Sequence, residues 1–188
     1  MPRLKSEPTA IAEWHTLVQS AGADCGTRLD EPLEAYLVFM LMRFSTRTHL
    51  GRRAMALDYL AAVQQPGGRP EHLRDTGDEC LIVCGLFPQR ARRKRVPFSY
   101  FVDLGRGAYG TLADRGAASE VEPFDALAAR FITLMEILQA MRPVDHAQSL
   151  SPLDAAELAE QTGSRRAWER LSPTDATLAP AESKHRRH

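Results

Sequence analysis

Proline divides this chain more sharply than any other residue. Its ring fixes φ and removes an N–H donor, so proline fits the first turn of a helix and breaks a helix interior. Of the twelve prolines, Pro8, Pro32, Pro70, Pro97, Pro123 and Pro152 stand just ahead of apolar patterns with helical period, several beside a capping residue such as Asp30, Glu122 or Ser151. Pro66, Pro88, Pro143 and Pro173 follow such patterns and end them. Pro2 and Pro180 fall in the tails.

Between these marks the apolar spacing is helical. Ile11, Trp14, Val18 and Ala21 form one stripe, and Leu33, Leu37, Met40, Leu41 and Phe44 a second. Tyr36, Val38, Phe39 and Met42 fill the remaining faces of the second segment, which predicts that it is the central helix. Leu57, Leu60, Ala61 and Gln64 mark a third segment, and Leu73, Cys80, Leu81 and Cys84 a fourth. Phe98, Phe101, Val102, Gly105, Ala108, Tyr109 and Leu112 mark a fifth. A single sixth helix is predicted through Phe124, Leu127, Ala128, Phe131, Leu134, Met135, Leu138 and Met141.

Period-two alternation is confined to Phe98–Val102, so the fold is read as all-α: a single compact bundle of about six helices plus one or two short C-terminal helices. Residues 1–7 are expected to be a flexible N-terminus, 8–150 the bundle, 151–171 a C-terminal extension and 172–188 a disordered tail with almost nothing to bury. Within the extension Gly163 is the expected break, and Trp168 and Leu171 are expected to dock it back. No internal repeat is visible.

The 24 basic and 24 acidic side chains cancel, which excludes a chain built to coat nucleic acid or an anionic membrane over its whole surface. The longest apolar run, Tyr36–Met42, is far short of the roughly 20 residues of a membrane span, so no membrane association is expected. Three cysteines without a CxxC pair, and no apolar segment after the basic N-terminus, predict a reducing compartment, the cytoplasm. Abundant arginine beside very little lysine fits a GC-rich, bacterial coding bias.

Several motifs carry two readings. Gly105-Arg106-Gly107-Ala108-Tyr109-Gly110 is a formal GxGxxG, but a dinucleotide site needs a second strand bearing an acid about 20 residues on, where the chain has its clearest helix. Gly105 and Ala108 are therefore read as small positions that let a neighbouring helix approach. Cys80 and Cys84 share a helix face, yet zinc wants four ligands and Cys25 stands apart, so the thiols are read as apolar fillers. No metal, cofactor or catalytic residue is assigned.

The stretch from Arg90 to Arg95 is either a solvated connection, paired with acids at Glu71, Asp75, Asp78 and Glu79, or a surface for anions. Arg90, Arg92, Arg93, Lys94 and Arg95, joined by Arg52 and Arg53, are the candidate binding residues. The expected function is a non-catalytic interaction or regulatory protein that engages an acidic protein partner through this arginine face. A nucleic-acid binder using the same arginines is the alternative, with Tyr100 as a stacking ring. A third reading is a helical-bundle enzyme or small-ligand carrier with a pocket beside the central helix, for which Tyr36, Tyr109 and His15 are the polar residues to examine. The second segment is apolar enough to be enclosed by its own bundle or by a second copy, so a homo-oligomer is a further possibility.

Overall fold

The computed structural model describes residues 7–45, 70–88, 90, 97–116, 123–142 and 152–171. These residues form helices α1 (Glu7–Asp24), α2 (Glu31–Ser45), α3 (Pro70–Leu86), α4 (Phe98–Asp114), α5 (Phe124–Ala129), α6 (Phe131–Ala140), α7 (Pro152–Thr162) and α8 (Arg165–Leu171). No strand occurs among them, and the all-α bundle follows. None of these helices is long and apolar enough to cross a membrane. The segment around Leu57, residues 1–6 and the tail from 172 lie outside the described residues.

The prolines stand where their geometry allows. Pro70 and Pro152 are the first residues of α3 and α7, Pro8 and Pro32 the second residues of α1 and α2, and Pro97 and Pro123 immediately precede α4 and α5. The strand-like stretch at Phe98 is instead the first turn of α4, because Phe98, Phe101, Val102, Gly105, Ala108, Tyr109 and Leu112 bury one helical face. The 3,4 spacing carried from Phe98 to Leu112 outweighs a brief alternation.

The centre of the bundle is α3, not α2. Every residue from Thr76 to Gly85 except Glu79 is buried, whereas Phe39 on α2 is 58% exposed. Glycine makes the close packing of α3 and α4 possible. A Cβ on Gly77 would stand 2.6 Å from the Tyr109 ring, and one on Gly105 would stand 2.5 Å from the Phe131 ring and 2.9 Å from Cys80 Cβ. Gly85 has the same relation to Leu138, at 2.4 Å. Composition hides this centre, since Thr76, Gly77 and Asp78 read as polar or small.

The segment beginning at Phe124 is two helices rather than one. It bends at Arg130, whose backbone lies at φ −100° and ψ 16°. The Arg130 side chain donates to Asp30 Oδ1 at 2.8 Å and to the Arg28 carbonyl at 3.4 Å, so the bend is tied to the α1–α2 loop. Backbone hydrogen bonds continue across it, from Arg130 N–H to Ala126 and from Leu134 N–H to Arg130.

The C-terminal pair docks on the bundle through mostly small side chains, with Trp168 left 54% exposed. Ala155, Leu158, Ala159 and Ala167 enter the core, with Leu171 packed at its edge. Ser164, fully buried, donates to Glu136 Oε1 at 2.6 Å and accepts the Ala167 N–H at 3.2 Å. Glu136 Oε1 also accepts the Arg166 N–H. The break between the two helices is Gly163 at φ +69°, a conformation that side-chain-bearing residues rarely adopt.

Candidate functional site

A carboxylate at the heart of the bundle organises its most distinctive surface. Asp78, in the middle of α3, has no exposed surface. A buried carboxylate is costly unless hydrogen bonds and an opposite charge replace water. Asp78 has both: the Tyr36 and Tyr109 hydroxyls each donate to Oδ1 at 2.7 Å, and Arg43 Nη2 donates to Oδ2. One side chain therefore ties α2 and α4 to α3. Tyr109 is fully buried, and burial pushes its phenol well above the ordinary 10.0, with Tyr36 adding to the effect, so it stays a neutral donor. The rings reinforce the cluster, Tyr36 standing edge-on to Tyr109 at 6.3 Å and Tyr109 stacking on Phe124 at 6.2 Å.

Tyr36 and Arg43 reach this network from a helix whose other side is open. Along α2 the residues Glu31, Ala35, Phe39 and Arg43 form one row, and Pro32, Tyr36 and Met40 the next. Both rows, with Arg74 of α3, line a half-open cleft of about 510 Å³. Arg43 thus has one end on buried Asp78 and 28% of its side chain still exposed. Its position in the last turn of α2, opposite Glu31 and Glu34 in the first, also suits the helix dipole.

A second, more polar cleft of about 830 Å³ lies between the end of α1 and the start of α2. There Glu34 Oε1 meets His15 Nδ1 at 2.8 Å and accepts from Gln19 Nε2 at 2.8 Å. Of the three polar residues expected to face a ligand, His15 is paired with Glu34, and Tyr36 and Tyr109 direct their hydroxyls at Asp78.

Among the candidate arginines only Arg90 is described. It is exposed, with its guanidinium 4.7 Å from the centre of the Phe87 ring. Arg52, Arg53, Arg92, Arg93, Lys94 and Arg95, and with them any convergence into one face, lie outside the described residues. Asp78 is not an acid paired with that basic stretch, as the sequence suggested; it is buried and bonded to Arg43 instead. The GxGxxG glycine at 105 packs against Phe131, as its reading as a small helical position required.

Cys80 and Cys84 are fully buried, and burial beside Cys80 pushes the Cys84 thiol well above its ordinary 9.0. Burial also raises Cys25, whose thiol faces the Glu136 carbonyl at 3.6 Å. No three His, Cys, Asp or Glu side chains among the described residues group so as to hold a metal ion.

Sequence reasoning missed Asp78, Arg43, Arg74 and the exposure of Phe39. One signal was present: Tyr109 lies in the core stripe of α4, and a buried tyrosine hydroxyl needs an acceptor. Comparison with protein families, with curated proteins and with solved structures finds no match.

Proposed function

We propose that this chain is a non-catalytic helical interaction protein and that it binds through the outer face of α2. The observation that carries this reading is Phe39, a large aromatic side chain 58% exposed in the middle of a cleft that Tyr36, Met40, Arg43 and Arg74 also line. Aromatic, methionine and arginine side chains are the types enriched at protein interfaces. Tyr36 and Arg43 are already fixed by Asp78, so a partner would lose little side-chain freedom in meeting them.

The chemistry of the remaining groups also favours binding over catalysis. Raised thiols are poor nucleophiles at neutral pH. Both oxygens of Asp78 are engaged, and the carboxylate has no exposed surface for a reacting group to reach.

Affinity isolation from one cell extract, with and without nuclease, tests this against the arginine reading. Three forms are compared: the natural chain, Phe39→Glu, and a variant with Arg90, Arg92, Arg93 and Arg95 replaced by serine. A stoichiometric protein, whether another chain or a second copy, retained by the natural chain and the serine variant but lost with Phe39→Glu is the expected result. Loss with the serine variant alone would overturn the assignment in favour of the arginine stretch. Binding that nuclease abolishes would favour nucleic acid.

A further inference from the structure

The α2 row limits what the partner can be. Glu31, Ala35, Phe39 and Arg43 are each four residues apart, so they form one ridge about 18 Å long on the helix. Read from the N-terminus the ridge is acid, small, large, base. Read from the other end it is base, large, small, acid. The two readings are complementary at every position. If the ridge is turned end for end about a point level with Leu37, Glu31 meets Arg43, and Ala35 receives Phe39.

We propose that the occupant of this face is a second copy of the chain, docked antiparallel, α2 on α2, about a two-fold axis near Leu37. This rests on the reading that the α2 face is an interface, and it names the partner. Two-fold symmetry repeats each pair, giving two Glu31–Arg43 contacts and two Phe39–Ala35 contacts. Arg74 lines the same cleft as Arg43, so the incoming Glu31 carboxylate meets two guanidinium groups, one of them already bonded to Asp78.

Each element of the contact has an observed basis. Glu31 is exposed and makes no hydrogen bond or ion pair among the described residues, and Phe39 is more than half exposed. Ala35 supplies the gap that a protruding ring requires. Ridges of i, i+4 residues are inclined to the helix axis, so the two rows run alongside each other when the helices cross at about 50°. A parallel arrangement would set Glu31 on Glu31 and Arg43 on Arg43. The chain's net charge of zero imposes no overall repulsion between copies. A contact built on one helix face falls at the small end of specific interfaces, below about 1,200 Å². The dimer is therefore expected to exchange with monomer in the micromolar range.

Sedimentation of the full chain from about 1 to about 200 µM measures the association directly. The natural chain should shift from monomer to dimer. Phe39→Glu, and separately Glu31→Arg, should raise the dissociation constant at least about tenfold. Arg43 is left intact, since it holds Asp78. Orientation is read by mixing two single-cysteine additions, Ala35→Cys and Phe39→Cys, under mild oxidation. A disulfide joining one variant to the other supports the antiparallel contact, because only facing positions come within bonding reach. Disulfides within each variant alone would mean a parallel contact and overturn the proposal, as would unchanged association in the Phe39→Glu or Glu31→Arg chain. A natural chain that stays monomeric throughout overturns the dimer as well. If Phe39-dependent capture of another protein then persists, the interaction reading stands without it.

Discussion

Replacing Gly105 and Gly110 by alanine one at a time should move stability in opposite directions, although both glycines lie in α4, at the two ends of the same GxGxxG pattern. At Gly105 the new methyl would stand 2.5 Å and 2.6 Å from two ring atoms of Phe131 and 2.9 Å from Cys80 Cβ. Neither neighbour can yield easily. Phe131 has no exposed surface and its ring lies 6.2 Å from that of Tyr109, while Cys80 Cβ is fixed to the α3 backbone. Overpacking of this kind costs about 2–3 kcal/mol, and alanine returns about 1 kcal/mol of helix propensity. The net loss is about 1–2 kcal/mol, a fall in Tm of about 2–8 °C for a domain of this size. At Gly110 nothing lies within 4 Å of the added Cβ. There the propensity gain stands alone, about 0.5–1 kcal/mol of added stability. Urea denaturation followed by circular dichroism, with the slope m checked for constancy, measures both. A Gly105→Ala protein as stable as the natural chain would refute the close packing of α3, α4 and α6, and a destabilised Gly110→Ala protein would refute the open surface at that turn.

Further outcomes follow from the same contacts. Asp78→Ala should cost about 3–5 kcal/mol, because it removes the buried acceptor shared by the Arg43 guanidinium and two tyrosine hydroxyls. Tyr109→Phe should cost about 1.5–3 kcal/mol as the loss of one hydrogen bond to a charged group, and combined with Tyr36→Phe it should depart from additivity. Denaturation across pH should show stability falling as pH rises above about 9. Cys84 and Tyr109 are raised above 9.0 and 10.0 in the fold, so the unfolded chain releases those protons first, and their contribution is fully present only below those values. Ser164→Ala should cost about 1 kcal/mol and speed amide exchange in 152–171 before the rest of the bundle, since it removes the α8 cap and a bond to Glu136.

The helices were legible where one physical signal dominated. Proline placed six helix starts, and the 3,4-spacing from Phe98 to Leu112 outweighed both a short alternation and a nucleotide-like glycine pattern. Gly163 was legible as a break because few other residues accept its backbone. The bend at Arg130 was not, since it depends on Asp30 and Arg28, a hundred residues away in sequence. Nor was the identity of the central helix. Apolarity all round pointed to α2, while α3 earns its position through glycines that admit neighbouring rings and an aspartate satisfied by three other side chains. Asp78 looked like one more solvated acid in a run of four. Its burial depends on Tyr36, Arg43 and Tyr109 arriving together, which no local spacing encodes. The exposure of Phe39 was hidden for the converse reason, because an aromatic in an apolar helix reads as core until its neighbours are known.

Hydroxyl-radical footprinting of the full chain at low and at high concentration reads the α2 face directly. If that face is where the chain binds, labelling of Phe39 should fall several-fold on concentration, while Tyr100 and Leu153, exposed on α4 and α7, should label as before. Phe39 labelling that stays constant while sedimentation shows the chain associating would place the contact elsewhere and contradict the account.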